Sequence, residues 1–239
     1  MDKTVGGAEE AARDVFDGAT LLIGGFGLSG MPENLLAALL KKGTKNLTVV
    51  SNNAGTDAYG IGLLLKRGLI KKMIMSYGGE CKTFEDLCIA GKLEVEWNPQ
   101  GTLAERLRAG GAGIGGFYTP TGYGTVVAEG KETRQFDGRW HVLERPIKGD
   151  FAFIKAYKGD PLGNLEFRKT ARNFNQVMAT AAKVTIAEVE HLVEVGGLHP
   201  DHVHTPGIYV QRIFQGEKYA KPIERLTVRP RQAARARVP

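Results

Sequence analysis

The sequence predicts an α/β fold, a mostly parallel sheet flanked by helices. Short apolar or β-branched runs alternate with longer segments of helical periodicity from one end of the chain to the other. Apolar residues make up 42% and charged residues 24% of the 239 positions, which suffices to bury a core and excludes a disordered chain. Glycine is in excess, with 32 residues or about 13%, against about 7% in an average protein. The glycines cluster directly after apolar runs, where a strand hands the chain to a loop that faces a ligand.

Ala8–Val15 has amphipathic periodicity and reads as a helix. Thr20–Ile23 is a short apolar run ended by glycine, hence a strand. Glu33–Lys42 is the next helix, with Pro32 at its start, where a missing N–H costs nothing. Asn46–Val50 is β-rich and gives a second strand. Tyr59–Lys66 is helical and Lys72–Ser76 is a third strand. Lys82–Ala90 and Thr102–Ala109 follow as helices. Val126–Ala128 and Trp140–Leu143 read as strands about the turn Phe136-Asp137-Gly138-Arg139. Asp150–Tyr157 and Lys183–Val189 are long apolar strands with the helix Phe174–Ala182 between them. No internal repeat interrupts this order, so one domain over 1–229 and a basic tail over 230–239 is the simplest division.

The net charge of +6 is concentrated at one end. From Arg225 onward there are five arginines and no acid; without them, 27 basic residues face 26 acidic ones. A nucleic-acid binder carries its basic face on the folded body, so no nucleic-acid partner is expected. Apolar runs such as Ala19–Ile23 fall far short of the roughly 20 residues a membrane span needs. Met1–Gly18 is acidic and Ala-rich, without the apolar core of a secretory signal. The expectation is a cytoplasmic protein with no membrane partner. Cys81 and Cys88, seven apart, match no zinc or redox spacing. His199, His202 and His204 stand in a proline-punctuated loop without a ligand set, so no metal is expected.

Gly25-Phe26-Gly27-Leu28-Ser29-Gly30 is a literal G-x-G-x-x-G between a strand and a helix. A dinucleotide site also needs an acid at the end of the second strand to hold the ribose. Here that strand ends Val50-Ser51-Asn52-Asn53, and the first acid, Asp57, lies well into the next loop. What remains is the general physics: backbone N–H groups at a helix N-terminus suit an anion or a developing negative charge.

The longer stretch Asp17-Gly18-Ala19-Thr20-Leu21-Leu22-Ile23-Gly24-Gly25-Phe26-Gly27-Leu28-Ser29-Gly30-Met31-Pro32 resembles the signature of the α (A) subunit of family I coenzyme A transferases, position by position. Four further blocks, Ser51–Gly55, Pro99–Arg106, Tyr118–Gly122 and Phe167–Asn175, are similar to the branch acting on succinyl-CoA and 3-oxoacids. His204–Val210 extends the likeness, which covers residues 3–229.

The resemblance implies an enzyme that moves CoA from succinyl-CoA to acetoacetate, or the reverse, with CoA as substrate and no resident cofactor. It implies a ping-pong route through a glutamyl-CoA thioester on a separate B (β) subunit, in an αβ or α2β2 assembly. The attacking glutamate belongs to a Ser-Glu-Asn-Gly block that this chain lacks. Glu80, in a glycine turn after the third strand, is the tempting nucleophile here, but with that role expected on the partner no catalytic residue is expected on this chain, and Glu80 is read as a carboxylate that orders its loop. The Gly24–Gly30 loop (Gly24, Gly25, Phe26, Gly27, Leu28, Ser29, Gly30) is the expected CoA-binding element. Asn52, Asn53 and Gln100 are the expected donors to substrate, oxyanion or the partner's glutamate, with side-chain-to-backbone loop ordering as the alternative. Gly110–Gly113 is expected to let the backbone approach a ligand or a partner. Gly115-Gly116 replaces a usual Pro-Ala, Cys81 a usual Asn, and Trp97-Asn98 precedes Pro99 where an apolar pair or Thr is usual, which bears on acyl selectivity. A 3-oxoadipate or acetate transferase is the alternative within this chemistry. A non-catalytic CoA- or nucleotide-binding regulator is the alternative outside it.

Overall fold

The computed structural model describes residues 1–223, so the expected basic tail lies outside the described residues. Helix α1 is Ala8–Ala11, strand β1 Thr20–Ile23, α2 Glu33–Lys42, β2 Leu47–Val50, α3 Ile61–Lys66, β3 Ile70–Met75, α4 Lys82–Ile89, β4 Glu94–Trp97 and α5 Gln100–Ala112. There follow β5 Phe117–Thr119, β6 Thr133–Phe136, β7 Arg139–Glu144, β8 Gly149–Gly159, β9 Leu165–Glu166, α6 Asn173–Thr180, β10 Ala182–Leu192 and β11 Arg212–Gln215. The main sheet runs β11-β10-β8-β1-β2-β3-β4, every neighbouring pair on that path parallel, and β9 adds antiparallel to β8.

Successive side chains of a strand point to opposite faces, and here both faces are covered. Leu21 and Ile23 of β1 join Leu35, Leu39, Ile61 and Leu64 of α2 and α3 in one core. Leu22 between them joins Leu103, Leu107, Phe174 and Met178 of α5 and α6 in the other. Burial on both faces is why these strands read as unbroken apolar runs. Strand β4 (Glu-Val-Glu-Trp) has no such run because it is the edge: its acids reach across to Lys72, whose Nζ lies 2.8 Å from Glu94 and 3.3 Å from Glu96.

Three sequence readings need correction. The first helix stops at Ala11, because Lys42 Nζ draws the carbonyls of Ala12, Arg13 and Val15 to itself at 3.3, 2.6 and 2.5 Å. Val126–Ala128 is not a strand but a single 3₁₀ turn, whose entry is capped by Thr125 Oγ1 accepting from the Val127 N–H. Of the glycines at the end of α5, Gly110 and Gly111 face the chain's own backbone and side chains, and only Gly113 faces open space. A Cβ on Gly110 would stand 2.0 Å from the Ile147 carbonyl oxygen, and one on Gly111 2.1 Å from Thr180 Oγ1.

Strands β5, β7 and β6 form a separate antiparallel sheet. Its β6–β7 turn has Asp137 and Gly138 both at positive φ, 47° and 76°, the pattern of a type I′ hairpin. The excursion that carries this sheet leaves and returns at α5. Arg106 Nε donates to the Arg145 carbonyl at 2.8 Å, and the Ile147 N–H donates to the Arg106 carbonyl at 2.9 Å.

Glu188 of β10 is wholly buried and faces the start of α2. Its carboxylate accepts from the Leu35 N–H at 2.8 Å, the Asn34 N–H at 3.4 Å and Asn34 Nδ2 at 3.3 Å. It thus satisfies donors that the first turn of a helix leaves open. Burial outweighs these bonds and pushes its pKa up from 4.5 to about 7. Because the folded state holds the proton more tightly, the resulting stability is complete below about pH 4.5 and lost as pH rises through about 7. Urea unfolding followed from pH 5 to 8.5 is expected to show stability falling with pH, by on the order of 1–3 kcal/mol from this group. Glu188→Gln is expected to remove that slope; an identical slope in the variant would assign it to other groups.

Candidate active site at the carboxyl ends of the sheet

In a parallel sheet the loops leaving the strands gather at one edge, which is where ligands bind in open α/β folds. The exits of β1, β2, β3 and β4 meet there around a cleft of about 630 Å³. Phe26 and Gly27 line it from the first loop, Asn52 and Asn53 from the second, Ser76, Tyr77 and Glu80 from the third, and Asn98, Pro99 and Gln100 from the fourth.

The first loop is a miniature hairpin. Phe26 N–H donates to the Ser29 carbonyl at 3.0 Å and Ser29 N–H to that of Phe26 at 3.1 Å. Gly27 is at φ 57°, while Leu28 has no positive φ, as a type II′ turn requires. Asn175 fixes its base. Asn175 Nδ2 donates to the Gly30 carbonyl at 3.0 Å, and its Oδ1 accepts from the Lys155 N–H at 2.8 Å. Asn173 Nδ2 reaches the Ser29 carbonyl at 3.0 Å. Gly24 is glycine for this reason: a Cβ there would sit 1.9 Å from Asn175 Oδ1.

Of the seven loop residues expected to meet CoA, Phe26 and Gly27 face the cleft. Leu28, Ser29 and Gly30 face a second crevice on the other side. Gly24 and Gly25 lie buried beneath. The helix N-terminus behind the loop is not open to a ligand, which corrects the reading of it as an anion site. Glu188 occupies the Asn34 and Leu35 N–H groups, and the Glu33 N–H bonds the Met31 carbonyl.

Asn52 and Asn53 are brought to the cleft by the exit of β2. Ser51 Oγ donates to the Ile23 carbonyl at 2.9 Å, tying that exit to β1. The Asn52 carbonyl accepts from the N–H groups of Ser76 and Tyr77 at 3.1 and 3.2 Å, tying it to β3. Both asparagines are buried, 4% and 5% exposed. Oδ1 of Asn52, Oδ1 of Asn53 and Oγ of Ser76 are sealed from solvent and have no hydrogen-bond partner among the described residues. Buried polar atoms seldom stay unpaired, and here three of them sit around one cleft. Gln100 opens α5 behind Pro99, with no side-chain cap, so the first-turn donors of α5 start at the cleft wall.

Glu80 also lines the cleft, half-buried, and is the sole carboxyl among its lining residues; among the described residues no Lys, Arg or His lines it. Asn98 serves as wall: Arg106 Nη1 holds its Oδ1, and its Nδ2 donates to the Glu96 carbonyl at 3.2 Å. Asp57 is not a ribose ligand but the cap of α4. It accepts from the N–H groups of Lys82 and Thr83, both at 2.9 Å, and from Thr83 Oγ1 at 2.6 Å. The Thr83 bonds hold the pKa of its carboxyl down at about 2. Cys81 is buried, and the pKa of its thiol is raised by desolvation. Trp97 stands edge-on to Phe84 at 5.9 Å, outside the cleft lining. His204 Nδ1 accepts the Phe167 N–H at 2.9 Å, a structural bond. Ser76, Tyr77, Asn173 and Asn175 are site residues that the sequence pattern does not single out. For the first two the available signal is their position directly after a parallel strand.

A sequence model described as "Coenzyme A transferase" matches residues 6–216. The chain belongs to the coenzyme A transferase family. Within it, the chain is 59% identical over 228 residues to the A subunit of a "Probable succinyl-CoA:3-ketoacid coenzyme A transferase" of Bacillus subtilis (strain 168), covering 95% of this chain and 96% of that one. It is 56% identical over 229 residues to the A subunit of the "Succinyl-CoA:3-ketoacid coenzyme A transferase" of Helicobacter pylori (strain J99 / ATCC 700824), covering 96% and 99%. The crystal structure of an acyl-CoA transferase from Escherichia coli O157:H7, in a thioester complex with CoA, superposes with a TM-score of 0.80 at 26% identity. That match covers 90% of this chain and 47% of the E. coli chain, so this coenzyme A transferase chain spans about half of it. Among the described residues no helix is long and apolar enough to cross a membrane, and no group of three His, Cys, Asp or Glu could hold a metal.

The Gly24–Asn175 contact gives a direct test of the loop's anchoring. Gly24→Ala is expected to destabilise by about 1–3 kcal/mol through overpacking, and Asn175→Ala by about 1–3 kcal/mol through lost buried bonds. The double variant should fall short of the sum by about 0.5–3 kcal/mol, read by urea denaturation. Strict additivity would mean that Asn175 is not what demands glycine at 24.

Proposed function

We propose that this chain is the A subunit of a transferase moving CoA between succinyl-CoA and acetoacetate, and that it supplies donors and walls while a B subunit supplies the nucleophile. The observation that carries this is the chemistry of the cleft: carboxamides, a hydroxyl and a helix start gathered without a cation among the described residues, and only Glu80 as an acid. Such a lining suits stabilising charge on a thioester oxygen rather than initiating attack. The names of the B. subtilis and H. pylori relatives support the same reading.

In this reading CoA enters as substrate and not as a resident cofactor. The partner's glutamate attacks the thioester carbonyl, and the oxygen of the tetrahedral intermediate takes hydrogen bonds from Gln100 and from the amide of Asn52 or Asn53. CoA leaves as thiolate, a mixed anhydride remains, and the thiolate attacks the glutamyl carbonyl to give glutamyl-CoA and free succinate. Acetoacetate then runs the steps in reverse. With no Lys, Arg or His lining the cleft among the described residues, the attacking carboxylate is not held in an ion pair there and stays nucleophilic. The second carboxylate of succinate is left to neutral amides of this chain or to the partner.

Glu80 supports one rival assignment, because it lines the same cleft. The two are separated by borohydride trapping of the enzyme–CoA thioester in a co-expressed A–B complex. The modified glutamate is expected on the partner, and this chain alone is expected to be inactive. Trapping on this chain at Glu80 would overturn the assignment. Gln100→Ala in the complex is expected to lower kcat about 10²–10³-fold with KM nearly unchanged, the loss typical of one oxyanion donor. A rise in KM alone would make Gln100 a binding residue instead.

A further inference from the structure

The strand order reverses between β1 and β8: β2, β3 and β4 lie to one side, β10 and β11 to the other. Such a switch point opens a crevice beyond the carboxyl ends of the two strands. Here it is a pocket of about 250 Å³, separated from the active-site cleft by the glycine hairpin, which gives Phe26 and Gly27 to one and Ser29 and Gly30 to the other.

The crevice is built for negative charge. Lys155, Arg168, Lys169 and Lys221 line it against two carboxylates, Glu33 and Glu190. Both carboxylates are already engaged. Glu190 is shared by Lys155 Nζ at 2.8 Å and Lys221 Nζ at 2.7 Å. Glu33 accepts from the N–H groups of Ala220 and Lys221 at 2.8 and 3.0 Å. Arg168 rests over the Tyr157 ring, 5.1 Å from its centroid, and among the described residues neither Arg168 nor Lys169 has a carboxylate partner. Lys155 is buried, 5% exposed, an ammonium that would not be kept there without anions around it. Ser29 Oγ and Thr170 Oγ1 lie 3.3 Å apart at the wall. Only one hydroxyl hydrogen fits between them, so the other is left to donate elsewhere. The walls are stiff, since Asn173 and Asn175 bind the Thr170 and Ala171 carbonyls at 2.7 and 2.9 Å as well as the hairpin.

We propose that this crevice is a phosphate-monoester site, and that in the transferase it takes the 3′-phosphate of CoA on Arg168 and Lys169 while the thioester end lies beyond the hairpin. Two cations without carboxylate partners, one of them a planar guanidinium, and a spare hydroxyl match a dianionic phosphate better than a single carboxylate. The inference rests on the reading of CoA as substrate.

The test is calorimetric binding of CoA and of dephospho-CoA, which lacks the 3′-phosphate, to the A–B complex. The wild type is expected to prefer CoA by about tenfold or more, the worth of a charge-assisted contact. Arg168→Gln and Lys169→Gln should each cut that preference at least about threefold, leaving dephospho-CoA affinity and Tm unchanged. Equal affinities in the wild type, or a preference untouched by the variants, would overturn the proposal. So would inorganic phosphate binding that the variants weaken in a complex with no preference for CoA, because the crevice would then serve free phosphate. Binding needs no turnover: a complex that shows the preference yet transfers no CoA would fail the transferase reading and leave this site standing.

Discussion

The architecture of the site depends on one buried carboxamide. Asn175 is wholly buried and bonds at once to the backbone of β8, to the glycine hairpin after β1 and to the turn before α6. An amide in that position is costly if any of its bonds is missing and rigidifying when all are made. It couples the two strands between which the sheet changes direction, and Gly24 has no side chain because the amide oxygen is there. The hairpin therefore does not behave as a flexible glycine-rich loop. It is a fixed partition, with a cleft that no cation among the described residues lines on one side and a cationic crevice on the other.

That division separates two kinds of chemistry. The cleft presents amides, a hydroxyl and a helix start suited to transient charge on oxygen, beside the Glu80 carboxyl, and among the described residues no cation lines it to stabilise a ground-state carboxylate. The crevice holds permanent positive charge suited to a permanent anion. A substrate gripped at a distant charge can spend that binding energy at the reacting bond, so keeping the cations out of the cleft and near it serves both demands.

The parts legible in the sequence are those governed by local pattern. Helix α2 begins and ends where its periodicity and Pro32 place it, and the strands of the sheet centre read as apolar runs because both their faces are covered. The cleft residues Asn52, Asn53 and Glu80 are visible as polar residues at strand exits, and Gln100 through the Pro99–Arg106 block in which it stands. What stays hidden depends on partners distant in the chain. Nothing local says that Glu188, 153 positions beyond Leu35, fills the helix start that looks open to an anion. Nor does local pattern reveal that Gly110 and Gly111 yield to Ile147 and Thr180 rather than to a ligand. Strand β4 is illegible because its charges belong to an edge, where pairing with Lys72 replaces apolar content.

The excursion from Gly113 to Pro146 starts at the carboxyl end of α5 and returns further back along the same helix, where Arg145 and Ile147 bond Arg106. Its small sheet makes no strand pairing with the main one among the described residues. The entropy of closing a segment whose ends are already together grows only slowly with its length. This stretch is held to the scaffold by side chains, with Val142 and Glu144 buried and Glu144 facing Arg106, rather than by strand pairing. Its outer hairpin can change length without re-registering any core strand, and an engineer seeking a place to graft a foreign peptide would begin at its Asp137-Gly138 tip.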